Sequence, residues 1–146
     1  MRTTASRASA SRARLFQRNL SHGTRVSVFI DPVASAAAWA RKVGADRVEL
    51  YTEPFARAFE RGDSAGRESF AAYAATAEAA HAQGLGVNAG HDLDLDNLVL
   101  FRSLPHLDEA SIGHALVSHA LWVGLDRSVR DYLAALAPGA HAECPR

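Results

Sequence analysis

The chain has 146 residues, of which 16 are Lys or Arg and 16 are Asp or Glu, so its formal net charge is zero. No apolar run approaches the roughly 18 residues of a membrane span, and the scarcity of lysine, which occurs only as Lys42, argues against nucleic acid and membrane as partners. The single cysteine, Cys144, allows no internal disulfide, which fits a protein of the reducing cytoplasm.

Charge is distributed unevenly along the chain. Residues 1–24 contain five arginines and no acidic residue, so the rest of the chain holds 11 basic and 16 acidic residues. The first segment is rich in Ser and Thr and lacks the apolar core of a secretory signal, so we predict a disordered basic extension over residues 1–24. Residues 137–146 are predicted to form a flexible tail.

From Arg25 onward, short β-branched runs alternate with alanine-rich runs that have helical spacing. The boundaries come from punctuating residues, such as Pro32 before one helix and Gly84 after another. In chain order, the pattern predicts a strand at 26–31, a helix at 33–43, a strand at 47–51, a loop or short helix at 52–66, a helix at 67–83, a strand at 85–88, a short helix at 94–102, a strand at 109–112, and helices at 115–123 and 126–136.

Two predictions about the later helices are specific. Asp94 or Asp96 is expected to cap the short helix, because an aspartate oxygen can accept hydrogen bonds from the free amides of a first turn. The last helix carries apolar residues at positions i, i+4 and i+7, and we expect that stripe to be buried. Its members are Val129, Leu133 and Leu136.

Repeated βα units without a hairpin signal predict an α/β fold, in which parallel strands are joined by right-handed crossovers. Four such units can form a small open doubly wound sheet or half of an eight-stranded TIM-type barrel. A complete barrel typically needs about 250 residues, so these 146 residues are too few for one.

Polar residues stand at or just after the end of each predicted strand. In both α/β architectures a ligand binds beyond the carboxyl ends of the strands, so these positions are the candidate site. They are Asp31, Glu49 with Thr52, Asn88 with His91, and Gly113 with His114.

Glu49 lies between Val48 and Leu50 within a predicted strand. The strands of a parallel sheet are normally covered on both faces, so a carboxylate there must be paired or functional. Two interpretations stay open at this point. Glu49 either forms a buried salt bridge or hydrogen bond that positions a loop, or it takes part in chemistry.

His91 and the pair Gly113 and His114 also have two interpretations each. A histidine can deliver a proton near neutral pH, but one beside Asp92 can equally be a surface or capping group. A glycine directly before a helix leaves backbone N–H groups that favour a phosphate, but it can also be a simple tight turn.

No metal or cofactor is predicted. His114 and His119 are five residues apart on a helical run and do not share a face, and no other Cys or His cluster supplies further ligands. The sequence also lacks a glycine-rich dinucleotide fingerprint, a P-loop and the serine-nucleophile elbow of hydrolases.

Four sequence blocks, in their order and spacing, strongly resemble the second half of the pyridoxine 5′-phosphate synthase family. They are VSVFID at 26–31, VELYT at 48–52, GVNAGH at 86–91 and SIGHA at 111–115, within a resemblance that covers residues 25–136. The resemblance implies an eight-stranded βα barrel, of which this chain holds strands five to eight, in an octamer built from dimers. It also implies condensation of 1-deoxy-D-xylulose 5-phosphate with 3-amino-2-oxopropyl phosphate to pyridoxine 5′-phosphate, phosphate and water.

The same resemblance implies roles for five residues. His91 matches the proton donor, and Glu49 matches the glutamate that stabilises the developing charge. Asp92 occupies a position that contacts the ligand, and Gly113 with His114 match the pair that contacts phosphate.

Asp92 and Glu53 stand where members of the family often have glycine. Both add negative charge near anionic ligands. We therefore expect weaker phosphate affinity unless a cation compensates.

The family's first four strands, with their general-base histidine and glutamate, have no counterpart in these 146 residues. We therefore expect a truncated synthase with little or no activity by itself. One alternative is an inactive half-barrel that self-associates through an uncovered apolar face or binds phosphate. Another is an unrelated phosphate-binding α/β protein.

Overall fold

The computed structural model describes residues 23–137, so the predicted extension and tail lie almost entirely outside the described residues. Four strands form one parallel sheet in the order β1-β2-β3-β4. They are β1 (Ser27–Ile30), β2 (Arg47–Tyr51), β3 (Gly86–Gly90) and β4 (Leu107–Ser111). This confirms the predicted α/β fold with parallel strands.

Six helices connect or follow the strands within the described residues. None of them is long and apolar enough to cross a membrane. They are α1 (Ala34–Lys42), α2 (Glu53–Glu60), α3 (Asp63–Ala82), α4 (Leu98–Phe101), α5 (His114–Val123) and α6 (Leu125–Leu136).

The order of the strands separates the two predicted architectures. A doubly wound sheet has a point at which the strand order reverses, whereas the strands of a TIM-type barrel follow one another in chain order. Here every strand pairs with the next along the chain, and no reversal occurs among residues 23–137. The arrangement is that of half a TIM-type barrel.

The two faces of the sheet differ in chemistry. One face packs against the helices and is apolar and buried; it carries Val28, Ile30, Val48, Leu50, Val87 and Ala89. On the other face, Phe29, Glu49, Asn88 and Glu109 stand side by side in the strand register. Phe29 is 61% exposed whereas Asn88 is buried, so the described residues leave this inner face open at β1. Glu49 is half-buried, so the expectation that it is covered on both sides is wrong among the described residues, and three of the four residues on this face are polar.

The long helix α3 begins at Asp63, four residues before the predicted start at Arg67, and α2 occupies most of the preceding segment. Gly62, with φ of 128°, separates the two helices. Gly66 lies inside α3, where a Cβ atom would come within 3.0 Å of Phe59 Cδ2 and 3.3 Å of Phe59 Cα. The missing side chain thus lets α2 and α3 pack closely.

The later strands also differ from their predicted bounds. β3 continues two residues further, to Gly90, because that residue pairs with Tyr51. β4 begins at Leu107 and contains a bulge at Asp108, whose Oδ2 accepts a hydrogen bond of 3.0 Å from the Val87 amide. Neither feature has a local sequence signal, since both depend on the neighbouring strand.

Helix α4 is shorter than the predicted helix at 94–102, because the residues before it form a turn. Asp94 Oδ1 accepts hydrogen bonds from the amides of Asp96 at 3.0 Å and Asn97 at 2.8 Å. Asp94 therefore binds amides of the turn before the helix, and the prediction that Asp94 or Asp96 caps the helix is wrong, because the cap position is Asn97.

The predicted burial of the apolar stripe on the last helix is wrong for two of its three residues, whereas Leu136 is partly buried against the core. Val129 and Leu133 are 38% and 64% exposed, while Ser128 and Tyr132 of the same helix are buried. Ser128 Oγ donates a 2.9 Å hydrogen bond to the Leu116 carbonyl, which turns the small polar face of α6 toward α5.

We predict that Gly66→Val lowers the free energy of unfolding by about 1–3 kcal/mol, because the added side chain must push Phe59 out of its place. Ser64→Val, at an exposed position of the same helix, is the matched control and should change stability by less than about 0.5 kcal/mol. Urea unfolding of both variants measures the difference. Equal stability of the two variants would show that α2 and α3 have room to separate.

Candidate active site

A cleft of about 550 Å³ opens at the carboxyl ends of β3 and β4. Four of the five predicted site residues line it, namely His91, Asp92, Gly113 and His114. Parallel strands end at the same edge of their sheet, so two segments more than 20 residues apart in sequence meet here. The cleft also contains Arg57, the only Arg or Lys among the described residues that line it.

Glu49, the fifth predicted residue, lies deeper, on the inner face of the sheet. It pairs with Asn88 across β2 and β3 and is half-buried. A Cβ atom on Gly90 would lie 2.6 Å from Glu49 Oε1, so the glycine provides the room for this carboxylate. Glu49 forms no ion pair or side-chain hydrogen bond with any residue from 23 to 137. The predicted salt bridge is therefore not found in the described part of the chain.

His91 is held in an unusual backbone conformation. Its φ is 92° and that of Asp92 is 58°, so two successive residues with side chains occupy the left-handed region. The hydroxyl of buried Thr52 donates a hydrogen bond to the His91 carbonyl. Asp92 Oδ2 lies 3.3 Å from His91 Nδ1, which leaves Nε2 as the ring nitrogen available to a ligand.

Gly113 and His114 stand at the start of α5. The helix begins with a hydrogen bond from the Val117 amide to the Gly113 carbonyl, so the amides between them have no partner within the helix. Gly113 and His114 are exposed, and a Cβ atom on Gly113 would meet nothing within 4 Å. The amides are accessible from the cleft and suit an anion.

Glu53 adds a negative charge that was expected to weaken phosphate affinity unless a cation compensates for it. Arg57 is a cation in contact with Glu53. The Arg57 Nε donates a hydrogen bond to Glu53 one turn earlier in α2. This bond, and a second one from the Tyr51 hydroxyl, lower the pKa of Glu53, whereas the pKa of Arg57 is raised by its contact with Glu53. Sequence reasoning missed Arg57, although its spacing of four residues from Glu53 is a signal for such a pair.

Tyr73 anchors the end of β2 from the core side. Its side chain is buried, and its hydroxyl donates a 2.8 Å hydrogen bond to the Tyr51 carbonyl. Burial disfavours the tyrosinate and raises the pKa of Tyr73 to about 12.

We predict that alkaline pH destabilises the fold through Tyr73. The unfolded state releases the Tyr73 proton near pH 10, whereas the folded state retains it to about pH 12, so stability is fully present below pH 10 and falls as pH rises through this window. The loss has a slope of up to about 1.4 kcal/mol per pH unit. Urea unfolding between pH 9 and 12 measures it.

Tyr73→Phe is the matched variant for this test. It should be about 1 kcal/mol less stable at neutral pH, because the hydrogen bond is lost, but its stability should fall less steeply above pH 10. An unchanged slope in Tyr73→Phe would contradict the assignment.

Comparison with known proteins extends the resemblance. A family model described as "Pyridoxal phosphate biosynthesis protein PdxJ" matches residues 4–138. The match begins upstream of Arg25, at which we placed the start of the resemblance, and includes most of the arginine-rich segment.

Several curated relatives carry the name pyridoxine 5′-phosphate synthase. The protein from Christiangramia forsetii is 50% identical over 113 residues, which are 77% of this chain and 46% of the relative. The Porphyromonas gingivalis protein is 47% identical over 125 residues, covering 85% and 51%, and the Cytophaga hutchinsonii protein is 53% identical over 112 residues, covering 76% and 46%. The chain thus spans about half the length of the curated relatives it matches. With most of its residues covered by the family match, the chain belongs to the PdxJ family of pyridoxal phosphate biosynthesis proteins.

Proposed function

We propose that this chain contributes one side of the active site of a pyridoxine 5′-phosphate synthase. The reaction would condense 1-deoxy-D-xylulose 5-phosphate with 3-amino-2-oxopropyl phosphate and release phosphate and water. The observation that carries the proposal is the convergence of His91, Asp92, Gly113 and His114 on one cleft at the carboxyl ends of the strands.

His91 is proposed as the proton donor. Condensation of an amine with a ketone and the loss of phosphate and water all require protons to be delivered to departing oxygen atoms. The His91 side chain is 51% exposed at the cleft, and its Nδ1 faces Asp92. A proton held on Nε2 can therefore reach a bound substrate.

Glu49 is proposed to stabilise positive charge in the intermediates. A protonated imine forms when the amine of one substrate attacks the ketone of the other. The Glu49 carboxylate lies below Gly90 and is not neutralised by any cation among residues 23–137, so its charge is available to that intermediate.

The rim of the cleft is proposed to bind substrate phosphate. The exposed amides at the start of α5, the His114 side chain and the guanidinium of Arg57 all border it. The Arg57 Nε donates a hydrogen bond to Glu53. This bond fixes the Arg57 side chain without involving the two terminal nitrogens of its guanidinium. These donors suit a phosphate group.

Binding of the two substrates to the purified chain tests the proposal, with isothermal titration calorimetry as the measurement. We expect Glu49→Gln to weaken binding of 3-amino-2-oxopropyl phosphate about tenfold, because a hydrogen bond to a charged group contributes about 1.5–3 kcal/mol, and to leave 1-deoxy-D-xylulose 5-phosphate nearly unaffected. His91→Asn should weaken both. The control is His81→Asn, an exposed histidine near the carboxyl end of α3 and outside the cleft.

If neither Glu49→Gln nor His91→Asn changes the affinity for either substrate, the roles implied by the family do not apply here. We expect binding without turnover from the 146-residue polypeptide, because the family's general-base residues have no counterpart in it. Formation of pyridoxine 5′-phosphate by this polypeptide would contradict that expectation.

A second candidate function, self-association, is favoured by a specific surface. Helices α5 and α6 carry exposed apolar residues at four-residue spacing, which we call the α5–α6 apolar face. Leu121 is 83% exposed and its neighbour Trp122 is 89% exposed. Large exposed apolar patches usually mark interaction sites. The face consists of Val117, Leu121, Trp122, Leu125, Val129 and Leu133.

We propose that a second copy of the chain covers this face in a homo-oligomer. The face is itself well fixed, because His119 Nε2 lies 3.1 Å from Asp131 Oδ2 and joins α5 to α6. An apolar surface of this kind is able to pack against its own copy around a twofold axis.

Trp122→Gln should weaken the self-association at least tenfold, because a buried tryptophan at an interface commonly contributes 2 kcal/mol or more. Trp39→Gln is the matched control, since Trp39 is 51% exposed on α1, away from the face. Native mass spectrometry at micromolar concentration measures the distribution of species. A wild-type chain that is monomeric there would rule out this second function.

A further inference from the structure

The Tyr51 side chain connects His91 with the ion pair on α2. The Tyr51 and His91 rings pack edge to face, with centroids 4.8 Å apart and an angle of 63° between their planes. The Tyr51 hydroxyl donates a 3.0 Å hydrogen bond to Glu53 Oε2, and Glu53 in turn binds Arg57. The tyrosine ring is therefore held at its far end while its edge or face contacts the histidine.

The backbone on both sides of this contact is also fixed. The buried Tyr73 hydroxyl binds the Tyr51 carbonyl, and the Thr52 amide donates a 3.0 Å hydrogen bond to the Gly90 carbonyl. The Thr52 hydroxyl then binds the carbonyl of His91 itself. Since both groups of the Tyr51–Thr52 peptide are hydrogen-bonded and Thr52 also binds His91, the Tyr51 ring has little freedom to move away from the imidazole.

His91 needs such support. A left-handed backbone conformation in a residue with a side chain costs about 1–3 kcal/mol and persists only where the surroundings determine it. The imidazole is about half exposed, and Asp92 is the only side chain between residues 23 and 137 that forms an ion pair with it. The Tyr51 ring is the aromatic ring that packs against the imidazole within residues 23–137, and it restricts rotation of the imidazole about its side-chain bonds.

We propose that Tyr51 is a positioning residue for His91, and that Glu53 and Arg57 act by holding the Tyr51 ring in place. The proposal rests on the proposed function, in which His91 donates a proton. A general acid must lie within hydrogen-bond reach of its acceptor, and small misplacements reduce its effect strongly. The hydrogen bond to Glu53 also raises the pKa of Tyr51 above its ordinary value.

The test is nuclear magnetic resonance of the His91 side chain in the isotope-labelled full chain. The wild-type resonances of His91 should be displaced by the Tyr51 ring current, and its scalar couplings should report one side-chain rotamer. In Tyr51→Leu, we expect loss of the displacement and averaging between rotamers. In Tyr51→Phe and in Glu53→Gln, the ring remains but its tether is lost or weakened, so partial averaging is expected.

Phe29→Leu is the matched control. Phe29 is an exposed aromatic residue that lines the same shallow groove as Tyr51 and His91 but makes no ring contact with the histidine. Its replacement should leave the His91 couplings unchanged. If Tyr51→Leu fails to fold, as its backbone amide spectrum would show, Tyr51→Phe and Glu53→Gln decide the question by the same couplings.

Adding each substrate to the labelled protein distinguishes failure of the positioning role of Tyr51 from failure of the proposed function. If neither substrate moves the wild-type His91 resonances but the Tyr51 variants still release the imidazole, the proposed function is wrong and the positioning role stands as a property of the fold. If a substrate moves the resonances but the Tyr51 and Glu53 variants keep a single His91 rotamer, the positioning role is wrong and the proposed function stands.

Discussion

The parallel register of β2 and β3 continues beyond the ends of both strands, and the geometry of the site depends on that continuation. Tyr51 pairs with Gly90, and Thr52 then binds the carbonyls of Gly90 and His91. Because Thr52 is fully buried, water does not compete for these bonds. A shift of one residue would turn Glu49 into the apolar layer under the helices, where a charge is costly, so the register is strongly determined.

Much of this arrangement could be predicted from the sequence. The β-branched runs and the glycines and prolines between them define the four βα units, and parallel strands bring their carboxyl ends to one edge. Polar residues at those ends therefore had to lie near one another, as His91 and His114 do at the cleft. The family resemblance added the roles of these residues, which neither spacing nor charge could supply.

The remainder depends on contacts between distant residues. Gly90 has a low preference for a strand, and its place in β3 follows from the space that Glu49 needs. The stripe that contains Val129 and Leu133 has the spacing of a buried face, but spacing defines a face without saying what covers it. In α6, the hydrogen bond from Ser128 to α5 and the burial of Tyr132 determine the orientation instead.

The charged residues of the sheet and the start of α5 distinguish two regions of the proposed site, one above Glu49 and one at the rim of the cleft. Arg47 Nη1 lies 2.8 Å from Asn88 Oδ1, 3.2 Å from Glu109 Oε1 and 3.5 Å from Asp108 Oδ2, so its positive charge is directed at β3 and β4. Glu49, which stands in the same row of the strand register as Asn88 and Glu109, has no such partner among residues 23–137. Like charges repel, so Glu49 disfavours a phosphate above it, whereas the free amides at the start of α5 favour one.

Under the proposed function, these two regions would bind different parts of a substrate. The phosphate of a substrate would bind over β4 and α5, and its cationic carbon would lie over β2 and β3, above Glu49. His91 directly follows β3, between these two positions, with Nδ1 turned toward Asp92. A proton on Nε2 is then placed between the departing oxygen and the carbon that gains positive charge, where a general acid must act if the bond is to break without forming a free oxyanion.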